Sequence, residues 1–237
     1  MHTRFVSFLN KIKAFFEFQF GFRAGHSTIL ALINIVDEIK ENIDNDKYTV
    51  GIFLDLTKAF DTVDHKILLQ KLPYYGIKGT ALSLITSYLS NRTMYTVING
   101  ATSVKKPIKF GVPQGSVLGP LLFSIYINDF MYCIPKKHSR LFADDTGVFN
   151  SNKCIYTTIR QAQALLEKLK HWFNDNKLTV NVSKCAWMIF HGKKKSIPND
   201  LPDLILNGEP IQRVDDFEYQ AFQNIVDRNP CSLLNNH

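Results

Sequence analysis

The 237-residue chain has little cysteine, and what it has is scattered: Cys133, Cys154, Cys185 and Cys231 show no CxxC spacing and no clustered histidines beside them. The usual zinc patterns are therefore excluded, and a reducing compartment suits the chain better than a disulfide framework. Long apolar runs are missing too, since no stretch approaches the roughly 20 residues of a membrane span. The run Phe5-Val6-Ser7-Phe8-Leu9 is too short for a signal-peptide core, and no small-residue cleavage site follows it. The expectation is an intracellular protein of cytoplasm or nucleus, with no membrane partner. An acidic excess is also lacking. Lys plus Arg is 28 against 21 Asp plus Glu, a net charge of +7. That balance favours a polyanionic partner, and a merely basic, soluble surface accounts for it equally well. What is present is a normal apolar content of 45%, which excludes wholesale disorder. The length suffices for one large or two small domains with a self-sufficient core. There is no internal repeat.

Hydrophobic spacing predicts the elements. Phe5, Phe8, Leu9, Ile12, Phe15 and Phe16 recur at helical intervals over residues 4–18. A second helix, capped by Ser27 or Thr28, runs to about Asn42 with Leu30, Ile33, Val36, Ile39 and Ile43 on one face. Tyr48–Leu54 reads as a central strand buried on both faces and ending at Asp55. Asp61 or Thr62 is the expected cap of a helix reaching Leu72, and another helix covers Thr80–Leu89. Thr93–Ile98 and Thr102–Ile108 flank Asn99-Gly100, a strong hairpin signal. Pro120 suits the first turn of an apolar helix from Leu121 to Phe130. Leu141–Ala143 and Val148–Phe149 read as short strands around a turn, Asp144-Asp145-Thr146-Gly147. An amphipathic helix over 155–173, a strand at Trp187–Phe190 and a hairpin around Asn207-Gly208 follow. Hairpins interspersed with helices make the class α+β.

Two neighbouring carboxylates on a hairpin tip repel each other, by roughly 4 kcal/mol at about 4 Å and an effective dielectric near 20. A divalent cation reverses that sign, and Mg²⁺ is typically held by one or two carboxylates plus substrate phosphates. A strand ending in Asp55 and a hairpin bearing Asp144-Asp145 could bring three carboxylates together, the set that clamps two metals in phosphoryl transfer. An ordinary polar turn and a polar strand end are the plain alternatives.

Five segments, in order, carry a resemblance to a known family. They are Gln19-Phe20-Gly21-Phe22-Arg23; Phe53-Leu54-Asp55-Leu56-Thr57-Lys58-Ala59-Phe60-Asp61; Gly111-Val112-Pro113-Gln114-Gly115-Ser116-Val117-Leu118-Gly119-Pro120; Phe142-Ala143-Asp144-Asp145; and Leu178–Lys184. Over roughly residues 4–220 the chain resembles the reverse transcriptase domain of non-LTR (LINE-like) retrotransposons, in particular the jockey-type branch. The resemblance implies a right-hand polymerase, with fingers and an antiparallel palm sheet packed on helices over 1–220, the thumb absent, and an irregular tail over 221–237. It implies an RNA-directed DNA polymerase that adds dNTPs to a DNA primer on an RNA template, with two Mg²⁺ ions or Mn²⁺ in their place. Asp55 and Asp144 match the metal-binding aspartates, Asp145 the adjacent catalytic aspartate, and the Leu56 carbonyl completes a metal's shell. Phe60 matches the aromatic under the incoming sugar, Gln114 and Gly115 the loop over the nucleotide, Arg23 a triphosphate-gripping arginine, and Lys184 the lysine that protonates pyrophosphate. Read without the resemblance, Phe60 is a core aromatic, Arg23 and Lys184 are surface cations, and Asp61 is a helix cap.

Lys105-Lys106, Lys136-Lys137 and Lys193-Lys194-Lys195 could meet nucleic-acid phosphates or simply be solvated. The family's endonuclease is not seen here, and Phe217-Glu218-Tyr219 resembles a primer-grip segment without the usual Leu-Gly after it. Those departures suggest a fragment or decayed copy of a retroelement. They leave a nucleic-acid-binding remnant without turnover as the competing expectation. An RNA-making polymerase of similar palm is a third, which Phe60 disfavours.

Overall fold

The computed structural model describes residues 2–135 and 138–215. The helices are α1 (His2–Lys11), α2 (Thr28–Asp44), α3 (Ala59–Thr62), α4 (His65–Lys71), α5 (Gly79–Leu89), α6 (Gly119–Ile127) and α7 (Ile155–Asp175). The strands are β1 (Tyr48–Leu54), β2 (Thr93–Met94), β3 (Val97–Ile98), β4 (Ala101–Thr102), β5 (Lys106–Pro107), β6 (Ser139–Phe142), β7 (Asp145–Asn152), β8 (Ala186–Phe190), β9 (Ile205–Leu206), β10 (Glu209–Pro210) and β11 (Gln212–Arg213). This is the mixed α and β class expected. The chain divides into two compact units. One comprises Met1–Phe15, Lys58–Asn128 and Asn176–Leu178; the other comprises Phe16–Thr57, Asp129–Asp175 and Thr179–His237. Among the described residues, no helix is long and apolar enough to cross a membrane.

The second unit is built on a five-stranded sheet of order β11-β8-β1-β7-β6, antiparallel except for the β11–β8 pair. β1 is the middle strand and is buried along nearly its whole length, as its continuous apolar run requires. Its side chains alternate between two helical layers. Phe53, with Phe149, Met188 and Phe190 of the neighbouring strands, packs against Ala31, Ile35 and Ile39 of α2. The opposite face receives α7, whose inward row is Ile159, Ala162, Leu166 and Leu169. Gly51 interrupts the apolar strand for a steric reason: a Cβ there would stand 3.1 Å from both the Phe149 and the Phe190 ring.

The first unit gathers α1, α4, α5 and α6 with the hairpin arm β2–β5. α6 is buried on every side, so its sequence shows no polar face. In the arm, Asn99 and Gly100 take φ of +50° and +82°, the left-handed pair a two-residue hairpin turn demands.

Several expectations need correction. α1 stops at Lys11, about two turns short of Phe18, because the chain turns left-handed at Lys13 (φ +51°). α2 buries Ala31, Ile35, Ile39 and Asn42 and leaves Leu30 and Ile33 exposed. The helix is apolar on two sides, and the side carrying small Ala31 is the one that admits the sheet's phenylalanines. The cap of α4 is Asp64, whose Oδ1 accepts from the Ile67 amide at 3.0 Å, not Asp61 or Thr62. Lys195 is not a solvated cation: it lies over the Tyr48 ring at 4.1 Å and reaches Asp46 at 3.4 Å. Lys136-Lys137, Phe217-Glu218-Tyr219 and the 221–237 tail lie outside the described residues.

Candidate active site

The sheet places two of the expected carboxylates together. Asp55 is the residue after β1, and the chain there continues beside 179–181: Asn181 N donates to the Asp55 carbonyl at 2.9 Å, Thr57 N to the Thr179 carbonyl at 2.8 Å, and Leu56 bridges Val180. β1 and β7 are in antiparallel register through Leu54–Thr146. One step further along that register sets position 55 across from position 145. The hairpin turn is tighter than the four residues predicted. Phe142 pairs with Asp145, so only Ala143 and Asp144 make the turn, with Ala143 at φ +57°. Asp145, Thr146 and Gly147 belong to the ladder because Asp145 pairs with Phe142 on β6 and β1 supplies partners for Thr146 and Gly147.

A bracing segment holds this hairpin from its open edge. Phe20 N donates to the Leu141 carbonyl at 2.7 Å, and Leu141 N to the Phe18 carbonyl at 2.9 Å, which adds residues 18–20 beside β6. Gly21 then passes so close to the turn that a Cβ on it would fall 2.1 Å from the Ala143 nitrogen. Arg140 on β6 is a buried strut to α2. Its Nε donates to Asn34 Oδ1 and its Nη2 to Glu38 Oε2, both at 2.5 Å, and Phe18 lies 4.0 Å from its guanidinium. Burial pulls the Arg140 guanidinium below its ordinary pKa, and Glu38 pulls it back up. Arg23 donates from Nη1 to the Phe16 and Gln19 carbonyls, at 2.7 and 3.1 Å. One nitrogen of the predicted triphosphate arginine thus fixes its own loop.

Electrostatics single out Asp144. Burial raises its carboxyl above the ordinary aspartate range, and the charge of Asp55 raises it further. A carboxyl that resists ionising beside a second carboxylate suits an oxygen-seeking divalent cation, which removes the repulsion. Among the described residues, no group of three or more His, Cys, Asp or Glu side chains is gathered to hold a metal ion. The two carboxylates that act on one another are Asp55 and Asp144. Beneath Asp55, Cys185 donates its thiol to the Asn181 carbonyl at 3.2 Å. Burial pushes that thiol up to about 11, so it stays protonated beside the carboxylate. Lys184 is exposed on the 3-10 turn Val182–Lys184, which Cys185 ends.

The remaining candidates belong to the other unit. Phe60, on α3, stacks on Phe123 of α6 with ring centres 4.4 Å apart. The loop carrying Gln114 and Gly115 is laid along residues 60–65. Val112 N donates to the Phe60 carbonyl and Gly111 N to the Val63 carbonyl, both at 2.8 Å, and a His65 ring nitrogen lies 2.6 Å from the Gly111 carbonyl. Gln114 Nε2 donates to Asp61 Oδ1 at 2.8 Å. Asp61, expected as a cap, is therefore the partner of a predicted site residue, a link across 53 positions that no local signal announces. Gly21 was readable in part, since a glycine between two phenylalanines hints at close backbone approach.

Known proteins share this fold. A solved structure of apo telomerase from Candida tropicalis, truncated from its C-terminal domain, superposes on 83% of the chain with a TM-score of 0.56, at 14% identity and over 41% of its own length. The sequence profile described as reverse transcriptase (RNA-dependent DNA polymerase) matches residues 2–222. The chain belongs to the reverse transcriptase family. The RNA-directed DNA polymerase from mobile element jockey of Drosophila melanogaster is 34% identical, over 92% of this chain and 24% of its own length. The probable RNA-directed DNA polymerase from transposon BS of the same fly is 33% identical, over 83% of this chain and 22% of its own. The chain thus spans about a quarter of the length of the curated relatives it matches.

Proposed function

We propose that this chain is the nucleotidyl-transferring part of an RNA-directed DNA polymerase, reading an RNA template and extending a DNA primer with dNTPs. The observation that carries the reading is the nearness of two carboxylates, with the charge of Asp55 at the end of the central strand acting on Asp144 at a braced hairpin tip. Residues 1–220 are read as fingers and palm, with the five-stranded sheet as the palm surface. Such an arrangement suits in-line displacement: the primer 3′-oxygen attacks the α-phosphorus, the bond to the β-phosphate oxygen breaks, and pyrophosphate leaves.

Asp55 and Asp144 would hold a divalent ion, Mg²⁺ or Mn²⁺. The Leu56 carbonyl and Asp145 are assigned to the second of the two ions by the family resemblance. When bound, such ions lower the pKa of the attacking hydroxyl and offset charge on the phosphates. The other roles fall to the protein. Lys184 donates a proton to the departing pyrophosphate. The Phe60 ring, fixed by its stack on Phe123, excludes a 2′-hydroxyl. Gln114 and the backbone at Gly115 receive the nucleotide, and the Arg23 guanidinium takes the triphosphate, for which its fork of donors suits. The retention of Asp55, Asp144, Asp145, Gln114 and Arg23 favours turnover over an inert remnant.

The test is primer extension by the chain on an RNA template with a DNA primer, dNTPs and Mg²⁺. Extension that copies the template and stops on chelation is expected. No extension, or untemplated addition, would overturn the reading.

A further inference from the structure

Gln114 sits on an exposed loop, between Pro113 and a Gly115 at φ +76°. Nothing covalent keeps its amide in one orientation, and its hydrogen bond to the Asp61 carboxylate supplies the constraint. An exposed hydrogen bond between two mobile side chains is worth little. Here the main chains behind it are already locked. Residues 60 and 63 bond to 112 and 111, Asp64 bridges Phe110, and Gly111 at φ +84° approaches within a would-be Cβ distance of 2.9 Å from the Asp61 Cα. The cost of holding Gln114 is then only the side-chain rotamers, with no loop to order. Asp61 caps no helix, since α4 is capped by Asp64. Both side chains also line a cavity of about 570 Å³ that presents Lys58 and Arg92, two cations suited to an anionic ligand.

We propose that Asp61 is a positioning residue: it fixes the rotation of the Gln114 amide, so that the amide's carbonyl and second N–H meet the incoming nucleotide already oriented. This rests on the reading that Gln114 contacts the dNTP.

The test measures single-nucleotide incorporation on an RNA template with a DNA primer. The proteins are the parent chain, Asp61→Ala, Asp61→Asn, Gln114→Ala and the Asp61→Ala/Gln114→Ala double variant. Asp61→Ala is expected to raise the dNTP KM roughly five- to tenfold, about what one net hydrogen bond is worth, with kcat within about twofold of the parent. Asp61→Asn should keep a near-parental KM, because its amide oxygen accepts the same N–H. The double variant should be no worse than Gln114→Ala. Independent, multiplying losses, or an Asn variant as impaired as the Ala variant, would overturn the proposal. A parent chain that extends nothing overturns the polymerase reading and this inference together. A parent that extends, with multiplying losses in the variants, overturns this inference alone.

Discussion

Gly21→Ala is expected to unseat the Asp144-Asp145 hairpin. The new Cβ would stand 2.1 Å from the Ala143 nitrogen, 2.9 Å from its Cα and 3.0 Å from the Phe142 carbonyl carbon. Ordinary contact starts near 3.4 Å, so one backbone must retreat by about 1.3 Å. All three obstructing atoms are main chain, and no side-chain tip can swing away instead. The hydrogen bonds of Phe18 and Phe20 to Leu141 oppose the retreat. Overpacking of this kind costs about 1–3 kcal/mol, and the backbone identity of the clash puts this case at the upper end. The displaced residue, Ala143, immediately precedes Asp144. A misplacement near 1 Å can lower a rate on the order of 10²-fold. The assay is urea unfolding beside single-turnover primer extension, with Gly25→Ala as the control. Gly25 has nothing within 4 Å of a Cβ, and its φ of +76° brings only dihedral strain, about 1–2 kcal/mol. A Gly21→Ala chain that extends primer as fast as Gly25→Ala would refute the close-packing argument.

Other outcomes follow from the same geometry. The folded chain holds the Asp144 proton more tightly than the unfolded chain does, because burial and the Asp55 charge raise that carboxyl. Its contribution to stability is therefore complete below the unfolded aspartate pKa, near 4, and is lost as pH rises through the folded value. Asp144→Asn should accordingly be more resistant to urea than the parent at neutral pH and lose that advantage near pH 4; a variant less stable at neutral pH would contradict the burial argument. Phe60→Val should admit ribonucleotides, raising their incorporation relative to dNTPs on the order of tenfold or more; unchanged discrimination would remove Phe60 from the sugar site. Arg140→Met removes the guanidinium that pairs with half-buried Glu38 and should cost about 3 kcal/mol in urea unfolding, much of it recovered by Arg140→Met/Glu38→Leu; no recovery would mean the ion pair is not the strut.

What could be read from the sequence was whatever had a local cause. The apolar run of β1 and its end at Asp55 were legible because burial on both faces leaves a continuous signature. Ser27 was legible as a cap: its hydroxyl accepts from the Leu30 amide at 3.2 Å. Asn99-Gly100 announced its own dihedrals. The errors came where two local signals competed and a distant partner decided. Asp61, Thr62 and Asp64 all could cap a helix, and the pairing of residues 60–64 with 110–112 settled on Asp64. The Asp-Asp turn shrank to Ala143-Asp144 because Phe142 on β6 pairs with Asp145 and β1 supplies partners for Thr146 and Gly147. In α2 two apolar stripes satisfied the same period, and only the sheet's aromatic face chose between them. The Gln114–Asp61 bond and the Arg140–Glu38–Asn34 strut span 53 and about a hundred residues respectively, where no spacing rule reaches.

The most direct measurement is single-turnover primer extension on an RNA template with Mg²⁺, comparing the parent chain with Asp55→Asn and Asp144→Asn at matched folded fractions. An amide keeps the shape of the carboxylate and removes the charge that holds a cation. Templated extension by the parent, with loss on the order of 10³-fold or more in each variant, is the expected result. Extension by either variant at near the parent's rate would contradict the assignment of the Asp55–Asp144 pair as the catalytic metal site.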